Sequence, residues 1–174
     1  MIYLDTCIVI YAVEDDGPRG NAVRQRLADA GDTEFAVGPL VTMGCIVGPL
    51  RRENLALHDH YLRALDNFRR LDLGEEHFMR AAQLRARHNL RTPDALHLAV
   101  AQFSGCEQLW TNDNRLSAAA EGLRSWSRAH CQTSSTDLLR RSGNGVSAPR
   151  GHRNPAFHHR ENLPPPERAR AHEC

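Results

Sequence analysis

Apolar positions along this chain recur in two rhythms, and each change of rhythm marks a new element. "IYL" at positions 2–4 is a short apolar run that ends on Asp5, and "TCIVIYAVE" continues as a turn or helix until "DDGPRG" breaks it. "NAVRQRLADAG", from Asn21 to Gly31, has an N-cap candidate at one end and a C-cap glycine at the other, which predicts a helix. "EFAVGPL" reads as a second strand leading into an apolar helix that runs on to Arg52. Leu57, Tyr61, Leu65 and Phe68 then repeat at helical spacing, with Leu62 beside them, and "RRLDLG" comes next as a short strand candidate. "EEHFMRAAQLRARHNL", Glu75 to Leu90, carries acids in its first turn and arginines later, the order that a helix dipole favours. "TPDALHLAVAQFSGC" predicts a helix with Thr92 as N-cap, Pro93 at its first position and Gly105 at its close. "EQLWTND" is a further strand ending in an acid, and "NRLSAAAEGL" is a last helix.

Strands and helices in this alternation predict an α/β domain, with a mostly parallel central sheet and helices on both faces. Sheets of this kind take ligands at the carboxyl ends of their strands. After Leu123 the rhythm stops, and Arg, His, Ser, Pro and Gly dominate the remainder of the chain. The 174 residues therefore divide into one foldable unit, 1–123, and a tail, 124–174, whose composition predicts disorder. So abrupt a change is what a shifted reading frame would produce.

Charge divides at nearly the same place. Residues 1–124 carry 14 Arg against 17 Asp plus Glu, a balance of −3, and residues 125–174 carry 8 against 4, a balance of +4, which sum to the net +1. No global basic field announces a nucleic-acid partner. All 22 cationic side chains are arginine, a compositional bias of the whole chain. The five cysteines, Cys7, Cys45, Cys106, Cys131 and Cys174, are odd in number and form no CxxC pair, which predicts a reduced, cytoplasmic protein. The first residues lack a basic region and are interrupted by Asp5, so neither a signal peptide nor a membrane span is expected there.

The candidate chemistry lies in acids placed at element ends. Asp5 follows "IYL", Asp113 follows "LWTN", and Asp94 falls in the first turn of the helix opened by Thr92. In a parallel sheet all three places can face one rim, and three gathered carboxylates make an oxygen-rich site for a hard divalent cation such as magnesium or manganese. Such an ion can position water and a phosphodiester for hydrolysis. Taken singly, each acid has a plain structural reading as a turn residue or a helix-dipole partner. Arg51, Arg52, Arg91 and Arg115 flank the site in sequence and are candidates to hold nucleic-acid phosphates, with simple solvation as the equal alternative. His97 shares a helix face with Asp94, a placement that also suits a buried, hydrogen-bonded histidine.

Asp5 after a buried first strand, "TPDALHLA" and "LWTNDNRL" together resemble the PIN-domain ribonucleases, in particular the VapC-type toxins of bacterial toxin–antitoxin pairs. The resemblance spans Met1 to about Leu123. It implies a PIN-like three-layer fold and a Mg2+- or Mn2+-dependent endoribonuclease, with Asp5, Asp94 and Asp113 as the metal-binding, catalytic acids. Thr6, Thr111 and Asn112 match positions that support the acidic site by hydrogen bonding. The resemblance further implies an RNA substrate, a VapB-type antitoxin whose segment blocks the site, a homodimer and no membrane association. Two features depart from the pattern. In "PLVTMGCIVGPLRR" the position that usually carries a glutamate holds Gly44, although an interior helix glycine costs roughly 0.5–1 kcal/mol relative to alanine. Glu53, nine residues on, would lie about half a helical turn away in angle and roughly 13.5 Å along the axis, so it cannot substitute. In addition, "RSWSRAHC" stands where the family adds a final apolar strand, so that strand is expected to be missing.

Other readings fare worse. A haloacid-dehalogenase-like phosphatase needs a second acid two residues after the first, where this chain has Cys7, and a Rossmann nucleotide binder needs glycines after the first strand, where "DTCIVI" has none. The remaining alternative is a PIN-fold protein with impaired catalysis that only binds an antitoxin or RNA.

Overall fold

A strand with both faces covered by helices must be apolar on both sides, and "IYL" and "FAV" meet that demand. In the computed structural model, which describes residues 1–120 and 122–126, they form β1 (Ile2–Leu4) and β2 (Phe35–Val37), buried along their whole length. Between them lie α1 (Thr6–Glu14) and α2 (Pro18–Asp29). The chain continues through α3 (Pro39–Arg51), α4 (Leu55–Leu65), β3 (Arg69–Arg70), α5 (Glu75–His88), α6 (Thr92–Phe103), β4 (Gln108–Trp110), α7 (Asn114–Ala119) and β5 (Arg124–Trp126).

The five strands are all parallel, in the order β3-β2-β1-β4-β5. Leu4 pairs with Trp110 in the β1–β4 register, and Asp5 N extends the ladder by donating to Trp110 O at 3.0 Å. Helices α1 and α2 pack together, as do α3 with α4 and α5 with α6, and α1 also packs on α3. This is the expected three-layer α/β arrangement with a central parallel sheet. Every residue from Ala95 to Ala101 of α6 is buried, as befits a helix enclosed on all sides. Trp110 is 1% exposed and meets the edge of Phe35 with ring centroids 5.4 Å apart, which makes it a core residue.

Four local expectations change. Helix α2 begins at Pro18, three residues before Asn21, because proline's fixed φ suits the first helical position and Gly17 caps it from outside. Thr92 is the first residue of α6, and the N-cap is Arg91, which makes no side-chain cap bond. Helix α5 stops at His88 because Asn89 turns left-handed, with φ of 52°. The final strand is present: β5 pairs with β4 through Gln108–Arg124, Leu109–Ser125 and Trp110–Trp126. An edge strand needs free backbone donors and acceptors rather than an apolar run, and "RSW" supplies them. The sheet thus runs past the boundary read at Leu123. The disorder expected of the tail beyond Trp126 falls on residues outside the described ones.

Candidate functional site

Strand order reverses at the β1–β4 pair: from β1 the chain builds first toward β2 and β3, and later toward β4 and β5. A reversal of this kind opens a crevice beyond the strands' carboxyl ends. Asp5 stands one residue past β1 and Thr111 one residue past β4, so the register that pairs Leu4 with Trp110 brings them together. Thr111 Oγ1 donates to Asp5 Oδ2 at 2.7 Å and accepts Asp113 N at 3.0 Å. One fully buried hydroxyl therefore links two of the three predicted acids.

Each acid sits at the start of a helix. Asp5 is the N-cap of α1, its Oδ1 accepting Thr6 N at 2.6 Å. Asp113 is the N-cap of α7, its Oδ1 accepting Arg115 N at 2.7 Å and Leu116 N at 3.2 Å. Asp94 lies in the first turn of α6 and receives no hydrogen bond among the described residues. Its carboxyl is pushed above the usual carboxylate range by burial first, then by the charges of Asp113 and Asp5, with His97 and Arg91 opposing. Asp94 is therefore within electrostatic reach of both other predicted acids.

Of the residues expected to support them, Thr111 does so through its hydroxyl and Thr6 through its backbone amide. Asn112 does not reach Asp5; its side chain donates to Tyr11 Oη at 3.3 Å and its backbone N–H to Cys7 Sγ at 3.3 Å. The Cys7 thiol donates to Asp5 Oδ2 at 3.3 Å, a contact the sequence did not announce. Burial, and then the Asp5 charge, push that thiol up to about 12, so it stays protonated and acts as a donor. His97 Nε2 faces Asp5 Oδ1 at 3.5 Å, and its Nδ1 meets Tyr3 Oη at 2.9 Å. Burial holds this imidazole below its ordinary value against the pull of Asp5 and Asp94.

Gly44 faces the same region. A Cβ there would stand 2.5 Å from Thr6 Cγ2 and 3.0 Å from Thr6 Oγ1, so α3 runs directly against the residue that follows Asp5. The glycine thus has a packing reason as well as an absent acid. Of the arginines, Arg91 and Arg115 stand beside Asp94 and Asp113. Arg52 pairs with Glu14 at 3.4 Å, and Glu14 also accepts Tyr61 Oη at 2.5 Å. Arg51 is exposed at the end of α3.

The carboxylates offer an oxygen-only donor set, the chemistry that hard divalent cations prefer, and the repulsion felt at Asp94 is what such a cation would relieve. Among the described residues no three His, Cys, Asp or Glu side chains converge tightly enough to form a ready-made cluster. A separate hollow of about 420 Å³, lined by Arg80, Gln102, Phe103, Gly122 and Leu123, includes none of these acids.

Comparison with known proteins agrees with this fold. The family profile described as PIN domain matches residues 2–122. Among solved structures, a toxin-antitoxin complex from Klebsiella pneumoniae is 26% identical, with a TM-score of 0.58 over 71% of this chain and 95% of that one. FitAcB from Neisseria gonorrhoeae is 18% identical, with a TM-score of 0.64 over 75% of this chain and 99% of its own. Mycobacterium tuberculosis VapC20, described as a Sarcin-Ricin loop cleaving toxin, is 18% identical, with a TM-score of 0.58 over 68% of this chain and 95% of its own. Comparison with curated protein sequences gives no significant match.

Proposed function

This chain belongs to the PIN domain family, and from that premise we propose that it is the toxin of a VapC-type toxin–antitoxin pair, a divalent-metal-dependent endoribonuclease of reduced activity. What supports the reading is the geometry past the carboxyl ends of β1 and β4, where the Thr111 hydroxyl links Asp5 to the Asp113 amide, and Asp94 in the first turn of α6 is raised by burial and by both of those charges. The similarity to the Klebsiella toxin-antitoxin complex supports the pairing with an antitoxin, and VapC20's description supports RNA as the substrate class.

In this reading Asp5 and Asp94 are the principal ligands of Mg2+ or Mn2+, and Asp113 supports them. A bound divalent cation supplies Lewis-acid polarisation of the phosphodiester and a nucleophile at neutral pH. Thr111, the Thr6 amide and Cys7 hold the Asp5 carboxylate in place. Arg91 and Arg115, exposed beside the acids, are placed to take phosphate oxygens; Arg52, engaged with Glu14, is less available, and Arg51 lies at the far end of α3. Met43, Val47 and Leu50 leave an exposed apolar stripe along α3, which supports a protein partner there, antitoxin or second copy. No helix among the described residues is long and apolar enough to cross a membrane, and a cytoplasmic location is part of the proposal.

The second reading, a PIN-fold protein that binds without cutting, draws on Gly44. Purified protein incubated with structured RNA separates the two. Cleavage that requires Mn2+ or Mg2+ and disappears in Asp5→Asn is expected. Equal cleavage by that variant would sink the nuclease assignment, and antitoxin binding without any cleavage would favour the binding-only reading.

A further inference from the structure

Tyr3 and Asp5 stand two residues apart on an extended segment, so their side chains leave the sheet on the same side. One imidazole, His97 of α6, reaches both: Nδ1 lies 2.9 Å from Tyr3 Oη, and Nε2 lies 3.5 Å from Asp5 Oδ1. Tyr3 has no exposed surface and His97 is 5% exposed, so water does not complete this chain of contacts.

Proton counting fixes its direction. A neutral imidazole carries one N–H, and a tyrosine hydroxyl offers one. If Tyr3 donates to Nδ1, the imidazole proton sits on Nε2, the nitrogen 3.5 Å from Asp5 Oδ1, where it makes an electrostatic contact with the carboxylate. The reverse assignment would set a bare Nε2 lone pair against Asp5 Oδ1 and leave the buried Tyr3 proton without an acceptor. The Gly38 backbone N–H that also faces Tyr3 Oη is itself a donor and cannot receive it.

We propose that His97, clamped by Tyr3, is a positioning residue that fixes the Asp5 carboxylate relative to Asp94. Asp5 already accepts Thr6 N on Oδ1 and Thr111 and Cys7 on Oδ2. The imidazole adds an electrostatic contact to those hydrogen bonds and differs from them in its origin, since it rises from α6 three residues after Asp94. It therefore ties the register of α6 to the end of β1, and with it the separation of the two acids. This inference rests on the metal-site reading only for its effect on ion affinity.

The test uses the full chain as wild type, Tyr3→Phe, His97→Leu and His97→Gln, with the amide of glutamine standing in for the Nε2–H. Nitrogen-15 correlation spectra should place the wild-type His97 proton on Nε2, and Tyr3→Phe should give a mixture of tautomers. The Asp5 side-chain carboxyl carbon resonance should move in His97→Leu and return in His97→Gln. Affinity for Mn2+ alone should fall about tenfold in His97→Leu, as for loss of a partner behind a metal ligand, and recover most of that in His97→Gln. A wild-type proton on Nδ1, or an Asp5 resonance indifferent to His97→Leu, would overturn the proposal. Thermal melting identifies a variant that has not folded; if His97→Leu is one, Tyr3→Phe decides through the tautomer. If the wild type binds no Mn2+, the metal-site reading fails, while the tautomer and the Asp5 resonance still decide on the positioning role.

Discussion

Thr111 shows how much of the site hangs on single atoms. Its hydroxyl satisfies Asp5 Oδ2 and the Asp113 amide at once, with no surface exposed. Thr111→Val keeps the shape, removes the acceptor of the Asp113 amide and leaves Asp5 Oδ2 with the Cys7 thiol alone, so we expect a loss of roughly 1–3 kcal/mol, the usual consequence of an unsatisfied buried or charged partner. Urea denaturation monitored by circular dichroism measures it, and an unchanged midpoint would show that water replaces the hydroxyl freely. At this scale the sequence was most informative about the acids, because each sits at a strand end or a helix start that local pattern marks. It was less so about their partners. Thr6 was legible as a supporter of Asp5, yet it acts through its amide, and Asn112 turns away to Tyr11. Tyr3 and His97 are separated by 94 positions, so no local pattern could pair them.

Helix α3 poses the question of Gly44 at the scale of elements. Its approach to the start of α1 is close enough for Thr6 to fill the room of a Cβ. A larger residue at 44 requires the Thr6 side chain to turn and, because Thr6 Cβ itself would be 3.3 Å away, α3 and the start of α1 to part by a few tenths of an ångström. Removing an interior helix glycine gains about 0.5–1 kcal/mol, which offsets that adjustment. Gly44→Glu is therefore expected to fold with little change in melting temperature and to bind Mn2+ more tightly, as isothermal titration would record. Unchanged affinity in the folded variant would mean that the missing carboxylate is not the limiting defect. The sheet edge offers a companion test. Deleting β5 uncovers the hydrogen-bonding edge of β4, so a chain ending at Leu123 should melt below one ending at Trp126; equal melting would assign β5 no stabilising part. That strand was not legible in the sequence because hydropathy reports side-chain burial, whereas an edge strand is held by its backbone. The start of α2 was missed for a related reason: "GPRG" reads as a breaker, yet Pro18 suits the first turn.

Across the whole molecule, the reversal of strand order about β1 and β4 and the placement of acids at helix starts are one design. The α/β alternation and the parallel sheet were readable from periodicity, because buried strands and amphipathic helices leave different repeats. The strand order was not, since it is decided by which neighbours pair rather than by any one element. Helices α1 and α7 start on Asp5 and Asp113, whose carboxylates accept their first backbone N–H groups, and Asp94 lies in the first turn of α6, so three helix starts bring the positive ends of their dipoles to the acids. The fold therefore brings its own countercharge to the carboxylates. A chelator should leave the melting temperature where it was, whereas added Mn2+ should raise it in proportion to the logarithm of its concentration over Kd; melting provoked by the chelator would contradict this. On the proposed reading an ion would be a passenger on this scaffold and not its keystone, so a lineage could lose the chemistry and keep the shape.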